Sequence, residues 1–404
     1  MKVLEKRPIS RLDRSPTAPT RSKTQITGAQ GRTTMRTVAL DLGNRISFCE
    51  VSQGRVIARK TVGKLTDLMA ELGPGTPPAR AAFEACREGW YVFDQLRAWG
   101  HDPVMVDTTR VKRLGIGQHG RKTDRIDAEV LARAVESGSL PVAHVLSPHR
   151  RALRKQLSVR KGLVEMRTGL ISTIRGLLRA NDGIRLGGCE AEQFHKHVQK
   201  ASLNEEQRLL IKPLVELLEQ LGPKIDEVDN QLEALSAQEP IILNLKTTPG
   251  VASVVSAAFV SVVDNPGRFR TAHQLEAYLG LVPLEKTSGK RKLGSITKQG
   301  NPYLRSLLIQ SGWTILRKND PNDPLNLWAQ GVLARRGKQV AVVALARRLV
   351  GVLWALWRDG TVYDPGHIGH QSARGVERAA QSDALRAAAL RRAARKTLRS
   401  AKKA

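Results

Sequence analysis

The chain has 404 residues, of which 41% are hydrophobic, a share that supports a buried core and excludes a wholly disordered protein. Its 66 Lys and Arg residues outnumber 37 Asp and Glu residues, so the net charge is +29. This excess favours a polyanionic partner such as nucleic acid. Aromatic residues make up 4% of the chain, which argues against single-strand recognition mainly by stacking bases on aromatic side chains.

The cysteines and the apolar stretches indicate the compartment. Three cysteines without a C-x-x-C pair support neither a disulfide framework nor a zinc finger, and they fit a reducing cytoplasm. The N-terminus lacks the apolar stretch of a signal peptide. The most hydrophobic stretch, residues 340–357, carries Arg347 and Arg348 near its centre, which disfavours a membrane span. We therefore expect a soluble cytoplasmic protein with no membrane partner.

Both ends of the chain are basic. Residues 1–35 hold eight basic and two acidic residues with clusters of Pro, Ser and Thr, which predicts a disordered basic arm. Residues 366–404 hold ten basic and two acidic residues in an Ala- and Arg-rich run. That composition predicts a basic tail that lies on nucleic acid as a helix or a solvated coil. The residues between the two ends also carry a net positive charge, so the predicted partner contacts the folded part as well.

Residues 36–148 are predicted to form an α/β domain. Strand-like runs at 37–41, 46–52 and 56–62, with Gly54 at a turn, indicate three antiparallel strands. Helix and strand patterns then alternate, with helices near 65–72 and 91–99, strands at 81–84 and 103–107, and a further helix from about Thr123. This order predicts a mixed sheet covered by helices.

Residues 149–239 change to a long helical pattern. Apolar residues recur every seven positions at 157, 164, 171 and 178, and between 214 and 235 they alternate spacings of four and three. We expect two long helices, with Gly222 and Pro223 kinking or ending the second one. The pair forms either an antiparallel or dimerising coiled coil or an ordinary two-helix subdomain.

Residues 240–365 form a third, mainly helical region. It opens with a Thr-Pro-Gly turn in which Gly250 resembles the glycine of helix-hairpin-helix modules, whose backbone N–H groups hold phosphate. An ordinary Pro-Gly turn is the alternative interpretation. A Gly-, Lys- and Arg-rich stretch follows at 287–301, and predicted helices over 302–316 and 338–357 close the region.

Four carboxylates fall where a sheet of this kind places its ligands. Asp41 and Glu84 end predicted strands, and Asp124 and Asp127 open a predicted helix on one helical face. Oxygens gathered in this way repel one another unless a cation intervenes, so we expect Mg²⁺ or Mn²⁺. Taken singly, Asp124 is more simply explained as a helix cap and Asp127 as the partner of a neighbouring basic residue. Asp41 and Glu84 are not explained in this way, because burying an unpaired charge at the end of an apolar strand costs free energy.

These residues carry a resemblance to a known family. The runs VALDLG at 38–43, FEAC at 83–86 and RKTDRIDA at 121–128 resemble the Asp-Glu-Asp-Asp signature of transposases of the insertion-sequence one-hundred-and-ten family. The runs YLGLVP at 278–283, TSG at 287–289 and ITKQGN at 296–301 resemble the C-terminal transposase domain of that family. The resemblance extends over nearly everything from Met35 to Pro365. The chain departs from the family pattern in the turn after Glu84 and in the arm before Met35.

The resemblance implies an architecture in three parts. Residues 36–148 would be an α/β RNase H-like (RuvC-like) domain, residues 149–239 a helical coiled-coil spacer, and residues 240–365 a mainly α transposase domain. Asp41, Glu84, Asp124 and Asp127 would be its metal-binding quartet. Ser288 matches the serine that family members use to attack a DNA phosphate, which gives a covalent phosphoserine intermediate.

Partners are also implied by the resemblance. Family members act on the DNA of element ends and targets, guided by a structured RNA, and they work as homo-oligomers, which predicts a dimer or tetramer here. In these oligomers the carboxylates of one subunit meet the serine of another. The residues of this chain expected to contact nucleic acid are Lys122, Arg125, Gly250, Lys290, Arg291, Lys292, Lys298 and Arg305.

Alternatives exist both for the nucleophile and for the function as a whole. A serine hydroxyl is a weak nucleophile without a nearby metal or base, and none lies next to Ser288 in the sequence, so help must come from the distant carboxylate site. Ser295 and Thr297 are local alternatives to Ser288. A junction-resolving nuclease that uses water as its nucleophile, and a non-enzymatic RNA-binding protein, are the two rival functions.

Overall fold

The computed structural model describes residues 35–108, 110, 124–138, 140–285, 293–318 and 320–366, with the side chains of 124–127 and 293 left out. The chain divides into two compact units, the first ending at Val145 and the second beginning at Leu146. The predicted basic arm and basic tail lie almost entirely outside the described residues.

The first unit is built on a mixed sheet. Three strands, β1 (Arg36–Leu42), β2 (Ile46–Ser52) and β3 (Arg55–Val62), form an antiparallel meander. Two more, β4 (Ala79–Glu84) and β5 (Asp102–Val106), continue it in parallel with β1, so the described strands follow the order β3-β2-β1-β4-β5. The predicted mixed sheet is confirmed, and its arrangement is consistent with an RNase H-like domain.

Alternation along the strands separates two apolar layers. Val38, Leu40 and Phe83 pack on one face with a short 3-10 turn, Leu65–Leu68, and with α1 (Met69–Leu72) and α2 (Gly89–Ala98). Ala39 and Ala82 pack on the other face with α3 (Asp124–Glu136). Their small side chains let α3 approach the sheet closely.

Helix α3 runs antiparallel to β1, as two contacts show. The backbone N–H of Gly54, in the turn between β2 and β3, donates to Glu136 Oε2 at the end of α3 (2.8 Å). Arg59, in the middle of β3, pairs with Glu129 in the middle of the helix. Because β2 is antiparallel to β1, the Gly54 turn marks the amino end of β1. The first turn of α3 therefore lies toward the carboxyl ends of β1 and β4.

Two long helices open the second unit. Helix α4 (Pro148–Asp182) is capped by Ser147, and after a 3-10 turn and α5 (Phe194–Gln199) the chain forms α6 (Glu205–Ala237), which packs along α4. Most of the predicted apolar positions of α6 between 214 and 235 are buried. Of the two alternatives expected at Gly222 and Pro223, a kink or an end of the helix, the end is wrong, since α6 continues through both Pro213 and Pro223. The apolar face of α6 packs against α4, and this packing stabilises α6 where the local helix propensity of Gly222 and Pro223 would interrupt it.

A helical bundle follows in the same unit. Helices α7 (Pro240–Lys246), α8 (Ser253–Val263), α9 (Ala272–Tyr278), α10 (Pro302–Lys318), α11 (Pro324–Arg336) and α12 (Lys338–Asp359) share one core, and the strands β6 (Pro283–Glu285) and β7 (Leu293–Ile296) form a hairpin beside it. The predicted helices at 302–316 and 338–357 are confirmed as α10 and α12, whereas α11 was not predicted.

Helix α12 has the length and composition of a membrane-spanning helix, but it packs in this core. Leu345, Leu349 and Leu353 are fully buried there, and the guanidinium of Arg347 donates to Glu276 of α9 (2.5 Å). Its apolar length is therefore explained by contacts within the bundle.

Tyr363 anchors the chain after α12. Its backbone N–H donates to Thr247 Oγ1 (2.8 Å), and its hydroxyl donates to the buried carboxylate of Asp323 (2.9 Å). Burial and this hydrogen bond raise the pKa of Tyr363, so the hydroxyl stays protonated and remains a donor.

Candidate active site

Asp41 and Glu84 are neighbours at the carboxyl ends of two parallel strands. The register pairs Leu40 with Phe83, so the next residues, Asp41 and Glu84, lie side by side. By alternation, both follow the parity of Ala39 and Ala82, which pack against α3. Both carboxylates are half-buried. The structure thus brings together two of the four predicted carboxylates on the face of the sheet that α3 covers.

The backbone of Asp124 and Asp127 occupies the first turn of α3. Because α3 runs antiparallel to β1, this turn lies toward the strand ends that carry Asp41 and Glu84. The positive end of a helix also favours negative charge at this place. The side chains of Asp124 and Asp127 are outside the described residues, as are Lys122 and the side chain of Arg125.

The donor set fits a hard divalent cation. Carboxylate oxygens are the ligands that Mg²⁺ and Mn²⁺ prefer. Among the described side chains, which include Asp41 and Glu84 but not Asp124 and Asp127, no three His, Cys, Asp or Glu groups lie close enough to hold a metal. The fit therefore rests on the two strand-end carboxylates and on the backbone of α3.

The nearby thiol of Cys86 is a poor competitor as a nucleophile. Burial raises its pKa, and the charges of Glu88 and Asp41 raise it further, against hydrogen bonds from the backbone of Glu88 and Gly89. Because the thiolate is the reactive form, a thiol that stays protonated attacks slowly.

Asp107 is a carboxylate that the sequence analysis did not single out. It follows β5, the next parallel strand after β4. An acidic residue directly after an apolar strand is the sequence pattern that could have identified it. Its Oδ1 accepts from the backbone N–H of Arg110 (3.3 Å), and its own N–H donates to the carbonyl of Pro141 (2.9 Å). By alternation from Met105 it lies on the opposite face of the sheet from Glu84. It stabilises the turn after β5.

The predicted serine falls, in the sequence, between the two strands of the hairpin in the second unit. Strands β6 and β7 pair antiparallel, Pro283 with Ile296 and Glu285 with Leu293. Ser288, Lys290, Arg291 and Lys292 stand between them in the sequence, in a stretch outside the described residues. Ser295, the rival alcohol on β7, is exposed.

The remaining predicted nucleic-acid contacts are placed on either side of this hairpin. Lys298 is exposed and has a positive φ of 57°. Arg305, on α10, is half-buried, and its guanidinium donates to two backbone carbonyls, Leu279 O (3.1 Å) and Gln299 O (2.7 Å). Part of its donor capacity is therefore used within the chain.

Gly250 lies in the turn between α7 and α8 and packs against α10. Its φ is +72°, and a Cβ there would stand 2.9 Å from Ile315 Cγ1 and 3.0 Å from the carbonyl oxygen of Ser311. Glycine is thus required for packing at this position, whatever else the turn contacts.

The start of α8 already has an internal anion nearby. Glu233 of α6 accepts from Lys246 Nζ (2.5 Å). Hydrogen bonds from Lys246 and Ser253 lower the pKa of Glu233, so the carboxylate is charged at neutral pH. A phosphate bound at this turn would meet that negative charge.

Comparison with known proteins places both halves of the chain. Residues 38–181 match a family model described as a DEDD transposase, and residues 243–324 match one described as "Transposase IS116/IS110/IS902 family". A "Probable family 20 transposase" of Pseudomonas aeruginosa is 32% identical over 72% of this chain and 87% of its own length. The transposase for insertion sequence element IS1111A of Coxiella burnetii is 29% identical over 70% of this chain and 79% of its own. The transposase for IS1328 of Yersinia enterocolitica is 25% identical over 81% of this chain and 98% of its own.

Proposed function

Because this chain belongs to the IS110 family of insertion-sequence transposases, we propose that it cuts and rejoins the DNA strands of its element through a covalent serine–phosphate intermediate. The carboxylates Asp41, Glu84, Asp124 and Asp127 would hold the divalent metal, Mg²⁺ or Mn²⁺. Ser288 would supply the nucleophile. The single observation that carries this proposal is the position of Asp41 and Glu84 at adjacent strand ends, on the face covered by α3, whose first turn contains the backbone of Asp124 and Asp127.

The carboxylate-bound metal and the serine would have distinct tasks in the reaction. The bound metal supplies Lewis-acid stabilisation of the negative charge that develops on the phosphate oxygens. The Ser288 hydroxyl gives up its proton as its oxygen bonds to phosphorus, and the departing DNA oxygen leaves with the electrons of the broken P–O bond and takes a proton. One phosphate ester replaces another, so ATP is not required. Reversal by a second DNA hydroxyl rejoins the strand and frees the serine.

Basic residues would position the nucleic acid. Lys290, Arg291 and Lys292 follow Ser288 after one glycine, and Lys298 lies exposed beyond β7. Together with Lys122 and Arg125, which stand close to Asp124 in the sequence, these side chains suit contacts to phosphates, which fix the position of a strand without reading its sequence. The turn at Gly250 is left out of these contacts, because the charged carboxylate of Glu233 near the start of α8 would repel a phosphate there. The net charge of +29 suits a complex that holds both DNA and a structured guide RNA.

A second copy of the chain would cover an apolar groove between α4 and α6. The groove has a volume of about 710 Å³ and is lined by Met166, Leu170, Leu217 and Leu221, among others. Met166 is 59% exposed and Leu217 is 47% exposed. Both side chains line the same mainly apolar groove, and a second copy that covered it would bury this exposed apolar surface. A homo-oligomer acting on DNA in the cytoplasm is therefore the proposed assembly.

The test is adduct formation on DNA. The purified protein, with the structured RNA from the non-coding end of its element, is mixed with a labelled element-end duplex in Mg²⁺ or Mn²⁺. Denaturing electrophoresis then measures protein–DNA adducts and cleaved strands. We expect adducts with wild type and with Ser295→Ala, the matched control, and none with Ser288→Ala, with Asp41→Asn or in EDTA.

Two outcomes would contradict the proposal. Cleavage that persists in Ser288→Ala, with adduct formed by neither protein, would assign the nucleophile to water and the activity to a junction-resolving nuclease. Full nucleic-acid binding with unchanged activity in Asp41→Asn would remove the carboxylates from the chemistry and favour an RNA-binding function.

A further inference from the structure

Two backbone segments cross at the base of the hairpin with unusually little space between them. One is residues 278–280, the end of α9, and the other is residues 298–300, which lead into α10. A Cβ on Gly280 would stand 2.3 Å from the carbonyl oxygen of Gln299, and a Cβ on Gly300 would stand 2.0 Å from that of Tyr278. Both glycines have positive φ, 69° and 72°. We call this contact the glycine crossing. No side chain larger than hydrogen fits at Gly280 or at Gly300.

Backbone hydrogen bonds join the two segments. The N–H of Lys298 donates to the carbonyl of Gly280 (3.1 Å), and one step further out the N–H of Thr297 donates to the carbonyl of Val282 (2.9 Å). The side of the hairpin that leaves α9 is therefore bonded to the side that enters α10. Ser288 stands between these two sides in the sequence. The crossing therefore fixes the distance between the two chain segments that lead to and from Ser288.

Arg305 spans the same crossing from the first turns of α10. A single guanidinium nitrogen, Nη1, donates to Leu279 O on one segment and to Gln299 O on the other. The rigid plane of the guanidinium fixes the N–H directions of this nitrogen, whereas a lysine ammonium has enough N–H groups but ends one bond nearer the backbone on a flexible stem, so it does not hold both carbonyls. Charge-assisted hydrogen bonds of this type are stronger than neutral ones.

We infer that Arg305 is a positioning residue that fixes the base of the hairpin through the glycine crossing. This inference rests on the proposed function for its effect on catalysis, whereas the bridging itself is independent of it. Arg305 then acts on strand cleavage through the two carbonyls, and the phosphate contact expected from its charge is secondary. Arg305 thus helps to position the nucleophile, although it lies 17 positions after Ser288 in the sequence.

The two roles make different predictions for nucleic-acid binding. A residue that neutralises a phosphate contributes about 0.9 to the slope of log affinity against log salt, and its loss weakens binding. A residue that bridges two carbonyls leaves both quantities unchanged and slows the reaction of bound DNA. Charge alone restores the first role, because Lys also neutralises phosphate, but it does not restore the second.

The experiment compares wild type with Arg305→Ala and Arg305→Lys in the full-length protein. Arg317→Ala is the matched control, since Arg317 is an exposed arginine on the same helix that contacts the Trp313 ring. Three quantities are measured: the affinity for element-end DNA at several salt concentrations, the rate of adduct formation at saturating DNA, and hydrogen exchange of the Thr297 and Lys298 amides without DNA.

We expect both Arg305 variants to form adduct at least tenfold more slowly, with affinity and salt slope within twofold of wild type. We also expect the Thr297 and Lys298 amides to exchange about tenfold faster in both variants. Without the Arg305 hydrogen bonds, the two segments separate more often and expose these amides to water. Arg317→Ala should match wild type in exchange and adduct rate.

Unchanged amide exchange in both Arg305 variants would overturn the inference. So would weaker binding with a lower salt slope in Arg305→Ala that Arg305→Lys restores, because that pattern identifies a phosphate contact. If wild type forms no adduct, the proposed function fails, and the exchange measurement still decides whether Arg305 holds the crossing.

Discussion

Replacing Gly300 with Ala should destabilise the second unit by much more than an ordinary glycine substitution. Ala at a positive φ costs about 1 kcal/mol in backbone strain. At Gly300 the new Cβ would also stand 2.0 Å from the carbonyl oxygen of Tyr278, so the two segments must separate by more than about 1 Å. That movement breaks the bond from Lys298 N–H to Gly280 O and stretches the one from Arg305 to Leu279 O. At about 1 to 2 kcal/mol for each, the total is about 3 to 5 kcal/mol.

Gly360→Ala is the control for backbone strain. Gly360 follows α12 with φ 68°, and nothing lies within 4 Å of the position of a Cβ. It should cost about 1 kcal/mol. The assay is urea unfolding followed by tryptophan fluorescence, since four of the six tryptophans lie after Leu146. Equal losses of unfolding free energy in the two variants would refute the claim that close backbone approach requires glycine at 300.

Two further substitutions test buried polar contacts in the second unit. Tyr363→Phe removes the hydroxyl that donates to Asp323 (2.9 Å) and should lower the unfolding free energy by about 2 kcal/mol; a change below about 0.5 kcal/mol would show that this bond does not anchor the chain end. For Glu239, burial alone would raise the pKa, but hydrogen bonds from Arg150 and His149 outweigh it and leave the pKa below the ordinary 4.5. A depressed folded-state pKa stabilises the protein above pH 4.5 and loses that stabilisation as the pH falls through the folded value. Wild type should therefore be more stable than Glu239→Gln at neutral pH, with a difference that shrinks below pH 4.5; a difference that grows on acidification would contradict this sign.

The sheet of the first unit was predictable because its determinants are local. Alternating runs and a turn at Gly54 specify the meander of β1, β2 and β3, and the acidic residues at the ends of β1 and β4 stand out against apolar strands. Parallel neighbours bring strand ends together, so the proximity of Asp41 and Glu84 follows from topology alone. The direction of α3 did not follow from any local pattern, because it depends on contacts to residues far earlier in the chain.

The second unit shows where sequence reasoning stops. Gly222 and Pro223 are strong local breakers, yet the apolar stripe of α6 on both sides of them keeps the helix continuous against α4. Arg305 lies near a basic stretch, which made a phosphate contact the natural interpretation. Its carbonyl partners lie 26 and 6 residues away, and no sequence pattern announces a bond from a side chain to a distant backbone oxygen. Helix α11 lacks a clear apolar stripe, although it contacts both α10 and α12, so its sequence gives no helical period to recognise.

The glycine crossing also makes the hairpin a separable module. The contacts that hold its two ends use backbone atoms, two glycines and one guanidinium. The excursion between them can therefore lengthen, shorten or change composition without altering the register of the helices that flank it. Exchange of residues 281–299 between related transposases, with both glycines and Arg305 retained, should transfer the properties of the donor hairpin onto an intact helical scaffold.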